Sequence, residues 1–68
     1  MSIILELLKS LKLKYEQEIQ ENKATMLIYL ENPVGIGEHP QHLEEMDTLI
    51  DKMATAKDKL EILNEYFS

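Results

Sequence analysis

The chain has 68 residues, and its thirteen acidic and seven basic residues give a net charge of −6. This length allows one domain with a marginal core, and the absence of cysteine excludes disulfides and thiolate metal sites, so oligomerisation is the expected source of extra stability. The acidic balance disfavours nucleic-acid binding, and no apolar run approaches the roughly 20 residues that span a bilayer.

The first residues resemble neither a signal peptide nor a nucleic-acid-binding arm. An apolar start is interrupted by Glu6 and lacks a basic region and a small-residue cleavage site, so we expect a soluble, cytoplasmic protein. Three lysines and one glutamate give residues 1–14 a side-chain charge of +2, which is too weak for a nucleic-acid footprint. The rest of the chain carries −8.

The first predicted element is a helix over about residues 2–31. It contains no glycine or proline, and Asn32 before Pro33 is disfavoured in helical geometry. An apolar stripe at steps of three and four runs along it, with Asn22 as its polar interruption. The stripe consists of Ile4, Leu8, Leu11, Tyr15, Ile19, Asn22, Met26 and Tyr29.

A connector over residues 32–39 and a second helix over about residues 40–67 follow. Every glycine and proline lies between positions 33 and 40: Pro33, Gly35, Gly37 and Pro40. Pro40 suits the first turn of a helix, where a missing N–H costs nothing. The second stripe repeats every four and three residues over more than three heptads, which is typical of a coiled-coil seam. It consists of His42, Met46, Leu49, Met53, Ala56, Leu60, Leu63 and Phe67.

Folding one stripe onto the other predicts an all-α, antiparallel two-helix hairpin with a single helix–helix seam. If paired positions sum to about 71, all eight positions of each stripe find a partner on the other. The pairing sets Tyr29 against His42. It also sets the large Tyr15 against the small Ala56, and a large residue opposite a small one favours close packing.

Several apolar residues fall beside this seam, and two helices cannot cover them. A stripe this broad belongs to a helix that is covered on more than one side, and an exposed apolar patch usually marks an interface. The simplest closed arrangement is a homodimer of hairpins, a four-helix bundle. The candidate oligomer interface is Leu27, Ile28, Ile50 and Ile62.

The connector resembles that of small uncharacterised helical-hairpin proteins encoded by T-even-type phages, especially phages of marine cyanobacteria. The specific part is the run Asn-Pro-Val-Gly-Ile-Gly-Glu-His-Pro at positions 32–40. The resemblance implies a phage-encoded accessory protein in the cytoplasm of the host cell, and it supplies no catalytic residue.

Three groups of residues invite a chemical interpretation. Gly35 and Gly37 lack the strand, third glycine and lysine of a phosphate loop, so they predict a turn. Glu38, His39 and His42 could bind a metal, but the alternative is a capping cluster in which His42 packs on Tyr29, and we expect no metal or other cofactor. The acidic residues flank the seam without the Glu-x-x-His motif of a di-metal bundle.

Asn22 has two interpretations: a buried amide that fixes register and oligomeric state, or a solvent-facing residue. No arrangement of residues indicates catalysis. The sequence therefore favours a non-enzymatic structural or protein-interaction module, with an unidentified protein as a further partner. The alternative is an acidic mimic that blocks a nucleic-acid-binding protein.

Overall fold

The computed structural model describes residues 2–31 and 40–67. Helix α1 spans Ile3–Glu31 and helix α2 spans Pro40–Phe67, and the two helices pack against each other. The described ranges contain no strand, so the predicted all-α hairpin is confirmed. Helix α1 begins one residue later than predicted, and the other bounds agree. The predicted connector, with Pro33, Gly35 and Gly37, lies outside the described residues.

Ser2 caps the first helix. Its hydroxyl oxygen accepts a hydrogen bond from the N–H of Leu5 at 3.4 Å, and its carbonyl oxygen accepts one from the N–H of Glu6 at 3.2 Å. Serine is a favoured residue at this position because its side chain satisfies an N–H group that the helix leaves unpaired. Glu6 also places a negative charge in the first turn, where the helix dipole favours it.

The hairpin is long and thin, with extents of 53 × 17 × 13 Å, so its core is a line of side chains between the helices. Ala56 and Leu63 are the buried hydrophobic residues among those described, with exposed fractions of 1% and 8%. They lie seven residues apart on α2 and therefore on one face of it. Each predicted seam position of α2 from His42 to Leu63 is buried or half-buried.

The predicted seam of α1 lies against this line over most of its length. Six of its eight positions are half-buried, whereas Leu11 is 39% exposed and Ile4 is 67% exposed. Phe67, the predicted partner of Ile4, is 60% exposed. These two residues form the outermost layer of the two described helices. The seam was predicted to include the layer of Ile4 and Phe67, but its enclosed part ends one layer before it.

Polar groups beside the seam are satisfied by their own helix. The Asn22 side-chain amide donates to the Glu18 carbonyl oxygen at 2.6 Å, and the Thr25 hydroxyl donates to the Glu21 carbonyl oxygen at 3.1 Å. Asn22 is half-buried, so it neither faces bulk water fully nor lies in a closed core. Such local bonds let a polar side chain sit at a helix interface without an unsatisfied group.

Candidate interaction surface

Many large hydrophobic side chains lie on the surface of the hairpin. Fourteen large hydrophobic side chains among the described residues are at least 39% exposed, against two buried hydrophobic residues. Large contiguous apolar patches on a soluble protein mark interaction sites. The fourteen are Ile3, Ile4, Leu5, Leu7, Leu11, Leu13, Leu27, Ile28, Leu30, Leu43, Ile50, Ile62, Tyr66 and Phe67.

These side chains are concentrated at one end of the molecule. We call residues 3–15 and 55–67 the distal half, because they lie farthest from the connector, and residues 16–31 and 40–54 the connector half. Nine of the fourteen exposed hydrophobic residues belong to the distal half and five to the connector half. The apolar surface is therefore unevenly distributed along the hairpin.

An apolar groove of about 580 Å³ runs between the helices in the distal half. Leu11, Ile62 and Phe67 line it beside the buried Leu63. Its charged lining residues are Asp58 and Lys59, which give it no net charge, and the Lys59 ammonium lies 5.8 Å from the centre of the Tyr15 ring. This distance suits a cation–π contact between the lysine and the tyrosine ring.

The same face of the hairpin becomes polar towards the connector. A depression of about 490 Å³ next to the groove shares Thr55 with it and is lined by Glu18, Glu21, Asp51 and Lys52. A further depression of about 410 Å³ shares Lys52 with the second and is lined by a tyrosine, two threonines, a leucine and two glutamates. One continuous face therefore changes from apolar to acidic along its length.

The charge of the whole chain follows the same division. The distal half has five lysines and four acidic residues, a net charge of +1. The connector half has two lysines and eight acidic residues, a net charge of −6. The molecule is therefore electrostatically two-ended, with nearly all of its negative charge on the half that exposes fewer hydrophobic residues.

The four residues of the predicted oligomer interface are exposed, and they lie in both halves of the hairpin. Leu27, Ile28 and Ile50 are exposed in the connector half, whereas Ile62 lines the apolar groove in the distal half. In an antiparallel hairpin Ile62 lies beside the region of residue 9, roughly 27 Å along the axis from Leu27 at 1.5 Å per residue. An interface formed by these four residues stays a prediction.

A polar cluster joins the helices near the connector. The Tyr29 hydroxyl donates a hydrogen bond to the Glu45 carboxylate, and the Tyr29 ring meets the His42 ring at a centroid distance of 5.7 Å and an angle of 60°. The predicted contact of Tyr29 with His42 is thus present. Edge-to-face packing is a favoured arrangement of two aromatic rings. These contacts join α1 to α2 at this end of the hairpin.

The hydrogen bond to Glu45 raises the pKa of Tyr29 above its ordinary value of 10.0, with smaller contributions from desolvation and from the carboxylate charge. Ionisation would remove the donated proton and set a phenolate beside a carboxylate. The stabilisation that this contact provides is therefore fully present below about pH 10 and is lost as the pH rises through the raised pKa.

We expect a tyrosinate step above the ordinary pKa of 10.0 when absorbance is followed against pH, and we assign this step to Tyr29. Tyr29→Phe should remove the step, and Glu45→Gln should move it to lower pH because the negative acceptor is gone. Tyr66→Phe, at an exposed tyrosine, is the control for the loss of one tyrosine and should leave the Tyr29 step in place. A step above pH 10 that is unchanged in Tyr29→Phe would contradict the assignment.

Comparisons with known proteins add no assignment: no protein-family model matches the chain, and no match was found among curated proteins or solved structures. In the described ranges, no group of three histidine or acidic side chains could hold a metal ion. Of the predicted trio, Glu38 and His39 lie outside those ranges. Neither described helix is long and apolar enough to cross a membrane.

Proposed function

We propose that this protein is a non-enzymatic interaction module whose working form is a homodimer of hairpins, a four-helix bundle, and that it serves as a phage-encoded accessory protein. The observation that carries the proposal is the imbalance between two buried hydrophobic residues and fourteen exposed large ones. The phage assignment is supported by the resemblance of the connector alone.

Assembly would offset part of the free-energy cost of folding this chain. Ordering a chain costs roughly 1.5 kcal/mol per residue in conformational entropy, and burial of apolar surface offsets this at about 25 cal/mol per Å². A hairpin that leaves most of its large hydrophobic side chains in water recovers only part of that cost. A second copy would supply the missing burial, and closed twofold pairing is the commonest solution.

Sedimentation equilibrium at micromolar concentration tests the proposal. We expect a species of twice the 7.9 kDa chain mass and an unfolding midpoint that rises with protein concentration, because dimer formation stabilises the folded state by mass action. A single 7.9 kDa species with a concentration-independent midpoint would contradict it.

A second candidate function is mimicry of nucleic acid by the connector half, which carries eight acidic residues and two lysines. Such a surface would occupy the basic site of a nucleic-acid-binding protein through contacts that salt screens. The test is to recover host proteins on the immobilised chain and then to add duplex DNA or high salt. Release of a DNA- or RNA-binding protein by both supports mimicry, and retention in both excludes it.

A further inference from the structure

We infer that the second copy docks groove to groove, with the two distal halves overlapping in opposite directions and the acidic connector halves projecting from opposite ends of the assembly. This inference rests on the proposed dimer and assigns the surface and orientation through which it forms.

The first support is the change from apolar to acidic lining residues along the grooved face. Its distal part is apolar and its lining charges, Asp58 and Lys59, cancel, whereas its connector part is lined by acidic residues that include Glu18, Glu21 and Asp51. A self-complementary twofold contact sets the same patch of both copies together. The apolar part of this face is the part that can meet itself without bringing like charges close.

This change from apolar to acidic residues also favours one of the possible orientations of the two copies. A parallel pair that overlaps over its full length would set groove on groove, but it would also set the acidic parts on each other. An antiparallel pair with full overlap would place each apolar groove on the partner's acidic part and bury unpaired carboxylates. An antiparallel overlap of the distal halves alone joins the grooves and keeps the acidic parts apart.

The net charges of the two halves favour the same antiparallel overlap of the distal halves. The distal half carries +1 and the connector half −6, so separating the two connector halves lowers the repulsion between copies. Three of the exposed large hydrophobic side chains of the distal half also line the groove, and they give the overlap its apolar surface. Leu11, Ile62 and Phe67 are then covered by the partner's groove.

Two isoleucines of equal exposure provide a matched pair of variants. Ile62 and Ile50 are both 49% exposed on α2, but Ile62 lines the groove and Ile50 lies in the connector half. We expect Ile62→Lys to raise the dimer dissociation constant about tenfold or more in sedimentation equilibrium. Ile50→Lys should leave it near the wild-type value. Circular dichroism checks that both variants stay helical.

The orientation is measured independently of the groove residues. The chain has no cysteine, so Asp47→Cys, at an exposed position of α2, accepts a single spin label in each copy. With the twofold axis near the groove centre at about Glu61, each label lies 14 residues from the axis, and the two labels should be about 42 Å apart at 1.5 Å per residue. Full overlap in either direction places them within about 25 Å.

Loss of dimer in Ile62→Lys but not in Ile50→Lys, together with the long distance, is the expected result. A wild-type dimer whose labels lie within about 25 Å, or which Ile50→Lys disrupts and Ile62→Lys does not, overturns the docking mode and leaves the proposed dimer standing. If Ile62→Lys loses its helices, the distance between the two spin labels alone tests the docking mode. A monomeric wild-type chain overturns both.

Discussion

Leu63→Ala is expected to lower the free energy of unfolding by about 2 to 5 kcal/mol, which is the usual loss when a buried leucine is truncated and leaves a cavity. Leu63 is 8% exposed and is one of the two buried hydrophobic residues that the structure describes. Few other contacts in so thin a molecule can replace those it makes. Chemical denaturation at one fixed protein concentration measures the loss, because assembly makes the midpoint depend on concentration.

A matched control is Leu43→Ala, the same substitution on the same helix at a position that is 59% exposed. We expect it to cost less than about 1 kcal/mol, with Leu49→Ala and Leu60→Ala, both half-buried, between the two extremes. Equal losses at Leu43 and Leu63 would mean that the helices pack through a different face.

Ala56→Leu is expected to destabilise the hairpin by about 1 to 3 kcal/mol because the added carbon atoms have no space between the helices. Ala56 is 1% exposed, the lower fraction of the two buried hydrophobic residues that the structure describes. The predicted seam pairing places Tyr15 opposite Ala56, so we expect a larger side chain to push the helices apart or to displace the tyrosine. Thermal or chemical denaturation provides the measurement.

Ala54→Leu gives the comparison, since Ala54 lies two residues away on the same helix but is exposed. The two substitutions change helix propensity equally, so their difference isolates packing. Ala54→Leu should change stability by no more than about 0.5 kcal/mol. If Ala56→Leu is equally harmless, the space beside Ala56 is larger than its burial indicates.

The helices could be predicted from the sequence because local signals agreed with the tertiary arrangement. Every glycine and proline lies between positions 33 and 40, and both flanking segments favour helix, so few boundaries were possible. The stripe on α2 also located Ala56 and Leu63, since a period of three and four identifies the inner face of a helix. The exposure of Ile4 and Phe67 could not be predicted, because periodicity does not show how far along the seam each helix covers the other.

Sequence reasoning missed some surface contacts because they depend on where a residue lies along the hairpin axis. Glu45 is one of the acidic residues that flank the predicted seam, but it lies one turn from His42, the predicted partner of Tyr29, and is therefore within reach of that tyrosine. Ile62 lies off the predicted seam, and periodicity alone does not show that it lines the groove. Ser2 could have been recognised as a cap from its place before an apolar helix.

The narrow cross-section of 17 × 13 Å has a consequence for how the fold opens. Each turn of one helix meets only the turn opposite, so separating a layer at either end breaks few contacts elsewhere, as in quasi-one-dimensional repeat proteins. Cooperativity is then short-ranged, and local opening free energies differ along the axis. In a single hairpin without its partner, we expect the turns around Ala56 and Leu63 to open last and the outermost layer at Ile4 and Phe67 to open and reclose without unfolding the rest.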